Sequence, residues 1–74
     1  MIKEAVGIEE FCEAHDLSRA TFYVLQKQGN APRLMKVGRR TLISNEAARE
    51  WRERVERATA ERLGRQLRIQ EALR

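Results

Sequence analysis

The apolar positions between residues 8 and 15 follow the spacing of a short amphipathic helix. Ile8, Phe11 and Cys12 fall on one side of such a helix, and glutamates occupy the positions between them. These acidic residues come early in the segment, where they suit the positive end of the helix dipole. The pattern therefore predicts a helix over residues 8–15, which the Asp16-Leu17 pair ends.

A second helix is predicted over residues 19–28. Ser18 is a favourable N-cap, and Gly29 is the residue type that most often follows the end of a helix. Phe22 and Leu25 cluster on one side, which indicates the face that packs on the core. Only a short turn separates the two predicted helices, as in a helix-turn-helix. The side opposite the core carries three residues spaced i, i+4 and i+8: Arg19, Tyr23 and Lys27.

The pattern changes to that of a β-hairpin over residues 33–44. Two segments rich in apolar and β-branched residues, 34–37 and 41–43, have the composition of short strands. Gly38 lies between them, at the position where a type II′ turn requires a positive φ. The tip of this hairpin is expected to present Arg39 and Arg40, with Lys36 nearby.

A third helix is predicted to begin after Ser44, which is again a favourable N-cap. Trp51 is the largest side chain of this helix and is expected to anchor it against the other two. The apolar stripe consists of Ala47, Ala48, Trp51 and Val55. Three Glu–Arg pairs in the favourable i, i+4 order are expected to support the helix beyond the core: Glu50–Arg54, Glu53–Arg57 and Glu61–Arg65.

Charge is distributed unevenly along this chain of 74 residues, whose formal net charge is +4. The segment from Ser18 to Ile43 contains no Asp or Glu, whereas the flanking segments are rich in acids. A surface of one sign focuses electrostatic potential, and the phosphate backbone of nucleic acid is the natural partner of a basic one. The basic residues of this window are Arg19, Lys27, Arg33, Lys36, Arg39 and Arg40.

The sequence offers little for other kinds of chemistry. Cys12 is the only cysteine and His15 the only histidine, so two ligands at most are available for a metal, and no disulfide can form within the chain. No paired carboxylates, phosphate-binding glycine loop or Ser-His-Asp set is present. We expect no enzymatic activity, no cofactor, no metal and no membrane segment, and we expect the protein in the bacterial cytoplasm, associated with the nucleoid.

Several short motifs resemble those of one known family. Leu17-Ser18-Arg19-Ala20-Thr21-Phe22-Tyr23, Gly29, Pro32, the run from Val37 to Ser44, and Glu50-Trp51 are similar to the AlpA/excisionase branch of the MerR-like winged helices. The resemblance covers residues 6–53. Two features depart from the family pattern: Gln26 replaces an apolar residue, and the final helix is longer than the minimal fold requires.

The order of the elements and the resemblance predict the same fold. We expect a mainly α fold with a small β-hairpin: a winged helix-turn-helix of three helices and a two-stranded wing, with the last helix extended. The DNA-binding domain is assigned to residues 1–58 and a C-terminal helical extension to residues 59–74. The predicted DNA-binding residues are Ser18, Arg19, Ala20, Thr21, Tyr23, Lys27, Arg33, Lys36, Arg39 and Arg40.

The resemblance implies sequence-selective binding of double-stranded DNA. Proteins of this branch act as recombination directionality factors, which bend DNA for a site-specific recombinase, or as transcriptional regulators of a mobile element. Both a recombinase (integrase) partner and a homo-oligomer or cooperative array on DNA follow as expectations. The sequence leaves two other functions open: a subunit that recognises viral DNA for packaging, and a protein-interaction adaptor or antitoxin that uses the C-terminal helix.

Overall fold

The computed structural model describes residues 3–73. The chain is mainly helical, with three helices and a small antiparallel sheet of three strands in the order β1-β3-β2. The elements in chain order are β1 (Ala5–Gly7), α1 (Ile8–Ala14), α2 (Arg19–Lys27), β2 (Met35–Val37), β3 (Arg40–Ser44) and α3 (Asn45–Ala72). Among residues 3–73 no helix is both long and apolar enough to cross a membrane.

Helix α1 ends in a tight reversal that starts the turn to α2. The last helical residue is Ala14, one residue before the predicted end; His15 is the C-cap, and Asp16 follows with a positive φ of 55°. The amide of Leu17 donates to the Cys12 carbonyl at 2.8 Å, and that of Asp16 donates to Glu13 at 3.2 Å. These two bonds form a Schellman motif, in which the residue after the left-handed position often contacts the core. Leu17 does so here.

Helix α2 begins at the predicted residue, Arg19, and ends at Lys27, one residue before the predicted end. The Ser18 hydroxyl accepts a hydrogen bond from the Thr21 amide at 3.0 Å, which satisfies one free donor of the first turn. At the other end, Gly29 has a φ of 75°. The Asn30 amide reaches back to the Leu25 carbonyl at 2.8 Å, so this helix also ends in a Schellman motif.

The predicted two-stranded wing is wrong in its strand number, because a third strand completes the sheet. The hairpin itself is present, with Val37 paired to Arg40 across the turn. Gly38 has a φ of 60° whereas Arg39 is not in the positive region, as a type II′ turn requires. Strand β1 lies on the other side of β3, where Val6 pairs with Ile43. Strand β1 was not predicted from the sequence, because a run of three residues in which only Val6 has a high strand propensity gives little local signal.

The core is a compact aromatic cluster at the meeting point of the helices and the sheet. Phe11, Phe22 and Ile43 are fully buried, and Cys12, Ala47, Ala48 and Trp51 are the other buried hydrophobic residues of the core. The Phe11 ring lies edge-on to both Phe22 and Trp51, with centroids 5.8 and 5.3 Å apart. Such edge-to-face pairs add to the stabilisation from apolar burial. The predicted role of Trp51 as an anchor of α3 is therefore confirmed.

Helix α3 continues far beyond this core. It is one unbroken helix of 28 residues that passes through the predicted boundary at residue 58, and the Ser44 hydroxyl caps it by accepting from the Ala47 amide at 3.1 Å. A helix of this length spans about 42 Å, and the longest dimension of the described chain is 56 Å. From Ala60 to Leu73 every residue except Gly64 is exposed. Residues 1, 2 and 74, at the ends of the two predicted segments, lie outside the described part.

Two expectations for α3 are wrong. Val55 is 41% exposed and is not part of the core, because it lines an open groove where α3 passes the end of α2. Within residues 3–73 the ion pairs are Lys3–Glu10 and Arg33–Glu50, so none of the three expected pairs along the helix is formed. Glu50 instead pairs with Arg33 from the loop before β2. Arg54 donates a hydrogen bond to the Ala31 carbonyl at 3.3 Å.

Candidate nucleic-acid interface

The core contacts of α2 determine which of its faces is turned to solvent. Phe22 is fully buried, and Leu25 packs against the same cluster. At 3.6 residues per turn, Ala20 and Lys27 lie directly opposite this side of the helix. Tyr23 lies on one flank of that outward line, and all three residues are exposed.

Arg19 lies at the margin of this outward face, where it interacts with Tyr23. The pKa of Arg19 is raised, chiefly by a hydrogen bond with the Tyr23 side chain and by its charge interaction with that group. The two residues are one helical turn apart, so their side chains meet on the same side. An arginine is charged throughout the physiological pH range, so Arg19 presents a positive charge at the edge of the exposed face.

The first turn of α2 carries a pair of hydroxyl groups that are already bonded to each other. Ser18 donates from Oγ to the Thr21 Oγ1 at 2.8 Å, while the same Ser18 oxygen accepts from the Thr21 amide. The Thr21 hydroxyl hydrogen is then left to donate outwards. Both residues are exposed, so this end of the helix offers a hydroxyl donor suited to a phosphate oxygen.

The β2–β3 hairpin presents its basic residues in different directions. Lys36 is opposite Thr41 in the register, and Arg40 is opposite Val37. Because successive side chains of a strand alternate between faces, Lys36 shares the face of the buried Ile43, and Arg40 lies on the other face. Arg39 is in the turn, and all three basic residues are exposed. The expected cluster at the tip is therefore Arg39 with Arg40, with Lys36 on the opposite face.

Arg33 has a different environment from the other predicted DNA-binding residues. Its guanidinium Nη2 lies 2.6 Å from Oε2 of Glu50, and the side chains of the two residues are 66% and 52% exposed. An exposed ion pair of this kind contributes about 0–1 kcal/mol to stability. It does neutralise the charge of Arg33 and ties the loop before β2 to α3. The structure thus gives Arg33 a contact within the protein that the sequence did not indicate.

The other basic residues of the segment from Ser18 to Ile43, which contains no acidic residue, have no acidic partner in the part of the chain described. The ion pairs of residues 3–73 involve none of Arg19, Lys27, Lys36, Arg39 and Arg40. The acidic residues of α1, Glu9, Glu10 and Glu13, are exposed on their own helix. With the exception of Arg33, the basic residues of segment 18–43 therefore form no ion pair with the described acidic residues of the flanking segments.

Cys12 and His15, the residues with the most reactive side chains, serve the core. Burial raises the pKa of the Cys12 thiol, although the charge of Arg19 opposes the shift. His15 Nδ1 donates to the Phe11 carbonyl at 2.8 Å, and its Nε2 accepts from Arg52 Nη1 at 3.1 Å. The imidazole also stacks on Phe11 with centroids 4.1 Å apart. Over residues 3–73 no three potential metal ligands are grouped together.

A groove lies where α3 passes the end of α2. It has a volume of about 500 Å³, with Leu25, Val55, Ala58 and Thr59 among its lining residues. The groove is open to solvent, and Val55, which lines it, is therefore only partly covered.

One exposed residue of α2 was missed by the sequence analysis. Val24 is 53% exposed and lies on the flank of the outward line opposite Tyr23. Val24 has no polar or charged group, which is the feature that marks its neighbours on this face as candidates for DNA binding. A helical projection that places Phe22 and Leu25 inwards would have found it, since it puts Val24 beside Ala20 on the outer side.

Comparison of the chain with protein-family models, with curated proteins and with solved structures gives no match. The site is therefore interpreted from its own residues and geometry.

Proposed function

We propose that this chain binds duplex DNA in a sequence-selective manner, as a winged helix-turn-helix protein of the excisionase/AlpA type. Helix α2 would be the recognition helix, and the β2–β3 hairpin would be the wing. The observation that carries the proposal is the outward face of α2. It presents Arg19, Tyr23 and Lys27 to solvent without an acidic partner among the described residues.

The major groove of B-DNA accepts an α-helix, and arginine is the side chain that most often reads guanine there. Arg19 is assigned this role because it is exposed, charged and located in the first turn of α2. Thr21 and Tyr23 carry hydroxyl groups near the same end of the helix and are assigned to phosphate oxygens. Phe22 on the inner side fixes the rotation of the helix about its axis.

The hairpin is assigned to the DNA backbone. Arg39 lies in a tight turn that starts at Gly38, and Arg40 follows at the first position of β3. Basic residues at the end of such a wing are suited to phosphates or to a narrow minor groove. Lys36, on the opposite face of the hairpin from Arg40, is expected to contribute less to the same contact.

The biological role that we propose is to position or bend DNA for a site-specific recombinase, to control transcription of a mobile element, or both. The same DNA-binding surface serves either role, and the resemblance of residues 6–53 to the excisionase branch supports both. The long exposed part of α3 is available for contact with a recombinase or with a neighbouring copy on DNA.

The test is a titration of the full chain against duplex DNA at several salt concentrations. Affinity should fall steeply as salt rises, because each neutralised phosphate releases counterions. Lys27→Ala should reduce the slope of log K against log salt concentration by about one unit, as the loss of one phosphate contact does. Arg65→Ala is the matched control. It removes an exposed basic side chain from the α3 extension, outside the acid-free segment 18–43, and should leave this slope unchanged. An affinity independent of salt, or no binding at low salt, would contradict the proposal.

A further inference from the structure

Val24 and Ala20 form a small apolar surface in the middle of the outward face of α2. They are one helical turn apart and both exposed, with Tyr23 and Lys27 beside them. Val24 is β-branched, so its two methyl groups are held in few orientations on a helix. Isolated exposed apolar residues are common on proteins. What distinguishes this pair is its place on the face that we assign to the major groove.

A valine on such a face cannot take part in the contacts available to its neighbours. It has no group that donates to a phosphate oxygen or pairs with a base edge. The major groove does contain one apolar group, the C5-methyl of thymine, and small apolar side chains contact it. No other base presents a methyl group there, so such a contact distinguishes thymine from cytosine, adenine and guanine.

We propose that Val24, together with Ala20, contacts the C5-methyl group of a thymine in the target site and so determines part of its sequence. This inference rests on the proposed function and adds a second base to the one assigned to Arg19. Val24 follows Arg19 by five residues, which is about 7.5 Å along the helix axis, or roughly two base pairs when the helix follows the groove. The site therefore contains a guanine and a thymine at a short, fixed spacing.

The experiment begins with duplexes selected from a randomised pool by the full chain. Each thymine of the selected site is then replaced in turn by deoxyuridine, which removes the C5-methyl and keeps the base-pairing groups. At one position the wild-type protein should bind the deoxyuridine duplex about fourfold more weakly, the factor for losing one buried carbon group. Val24→Ala should bind both duplexes equally and at the weaker level.

Val37→Ala is the matched control, because it makes the same change at a residue of similar exposure, 54% against 53%, in β2. It should keep the wild-type preference for thymine over deoxyuridine. The exposed position of Val24 and the high helix propensity of alanine mean that Val24→Ala should fold, which circular dichroism checks.

The outcomes separate this inference from the proposed function. Salt-dependent binding to a selected site without any deoxyuridine effect would overturn the inference and leave the proposed function in place. The inference would also be overturned by a Val24→Ala protein that keeps the full preference, or that loses affinity equally with and without the methyl group. Failure to bind any duplex at low salt would overturn both.

Discussion

The indole Nε1 of Trp51 donates a hydrogen bond to the main-chain carbonyl of Asn30 at 2.7 Å. Asn30 is the residue whose amide closes the Schellman motif at the end of α2. One side chain of α3 therefore packs its ring on Phe11 of α1 and bonds the turn after α2. This contact holds the helix-turn-helix against the long helix, and with it the orientation of the exposed face of α2.

Truncation of Trp51 tests this contact in two steps. Trp51→Phe keeps an aromatic ring but leaves the Asn30 carbonyl without its donor, and should cost about 1–3 kcal/mol of unfolding free energy. Trp51→Ala also leaves a cavity and should cost about 3–5 kcal/mol, enough to unfold most of a domain this small. Thermal or urea denaturation measures both. Equal stability of the wild type and Trp51→Phe would show that the hydrogen bond contributes nothing.

The turn between α1 and α2 offers a stabilising substitution. Asp16 has a φ of 55°, a conformation that costs a residue with a Cβ about 1 kcal/mol or more, and aspartate somewhat less. Asp16→Gly should therefore raise the unfolding free energy by roughly 0.5–1 kcal/mol. The reciprocal change, Gly29→Ala at a φ of 75°, should lower it by a similar amount. A destabilised Asp16→Gly protein would mean that the aspartate side chain contributes more than the backbone conformation costs.

The division of labour between α2 and the hairpin predicts different effects on specific and random duplexes. Arg19→Ala should cost about 1–3 kcal/mol on the selected site and relax the base preference there, because a guanine contact is lost. Arg39→Ala should weaken binding to both kinds of duplex by the same factor, because phosphates are present in every sequence. Parallel titrations on the two DNAs measure the effects. If both variants respond identically, the roles assigned to the two elements are wrong.

Deletion of residues 60–74 should leave a folded domain, because all buried residues come before Arg52 in the chain. Affinity for a single site should change little, since the proposed contacts lie in residues 18–40. Cooperative binding to adjacent sites should decrease if the tail links neighbouring copies, because linkage raises the effective concentration. Binding curves on single and tandem sites, for the truncated and full chains, measure both effects. If the truncated protein does not fold, residues 60–74 are required for folding of the domain.

The buried thiol of Cys12 predicts a stability change at alkaline pH. Burial raises its pKa in the folded protein above the ordinary value of 9.0. The contribution of the neutral thiol is therefore fully present below pH 9 and is lost as the pH rises towards the folded-state pKa, because the unfolded chain releases the proton first. Denaturation at pH 8 and pH 10 should show a smaller loss of stability for Cys12→Ala than for the wild type. Equal losses would show that the thiol does not contribute.

The local features of this fold follow from sequence rules that need only a few neighbouring residues. The caps at Ser18 and Ser44, the helix end at Gly29 and the turn at Gly38 are each determined by one residue type with a known backbone preference. Trp51 was identified as the anchor because no other side chain of its helix has comparable apolar area. The exposed face of α2 was also predictable from its helical periodicity.

Features that depend on distant residues were not predictable in the same way. Strand β1 exists because β3 provides a partner for it, and Ala5-Val6-Gly7 alone does not indicate a strand. Glu50 pairs with Arg33 from a loop and not with Arg54 on its own helix, because the fold brings the loop closer. Val24 has no polar group that marks it as part of the exposed face of α2, and only its helical phase relative to Phe22 places it there.

Pairing of β1 with β3 has a consequence for the order in which the chain can fold. The first strand is synthesised early, yet its partners, from Leu42 to Ser44, emerge only after both short helices and the hairpin turn have been made. The Asn45 amide also bonds the Glu4 carbonyl at 2.9 Å, so the start of α3 closes the same loop. Contacts between residues far apart in sequence form slowly, because the intervening chain must first be ordered. During synthesis on the ribosome, β1 must therefore wait, unpaired, until residues 42–45 have left the exit tunnel.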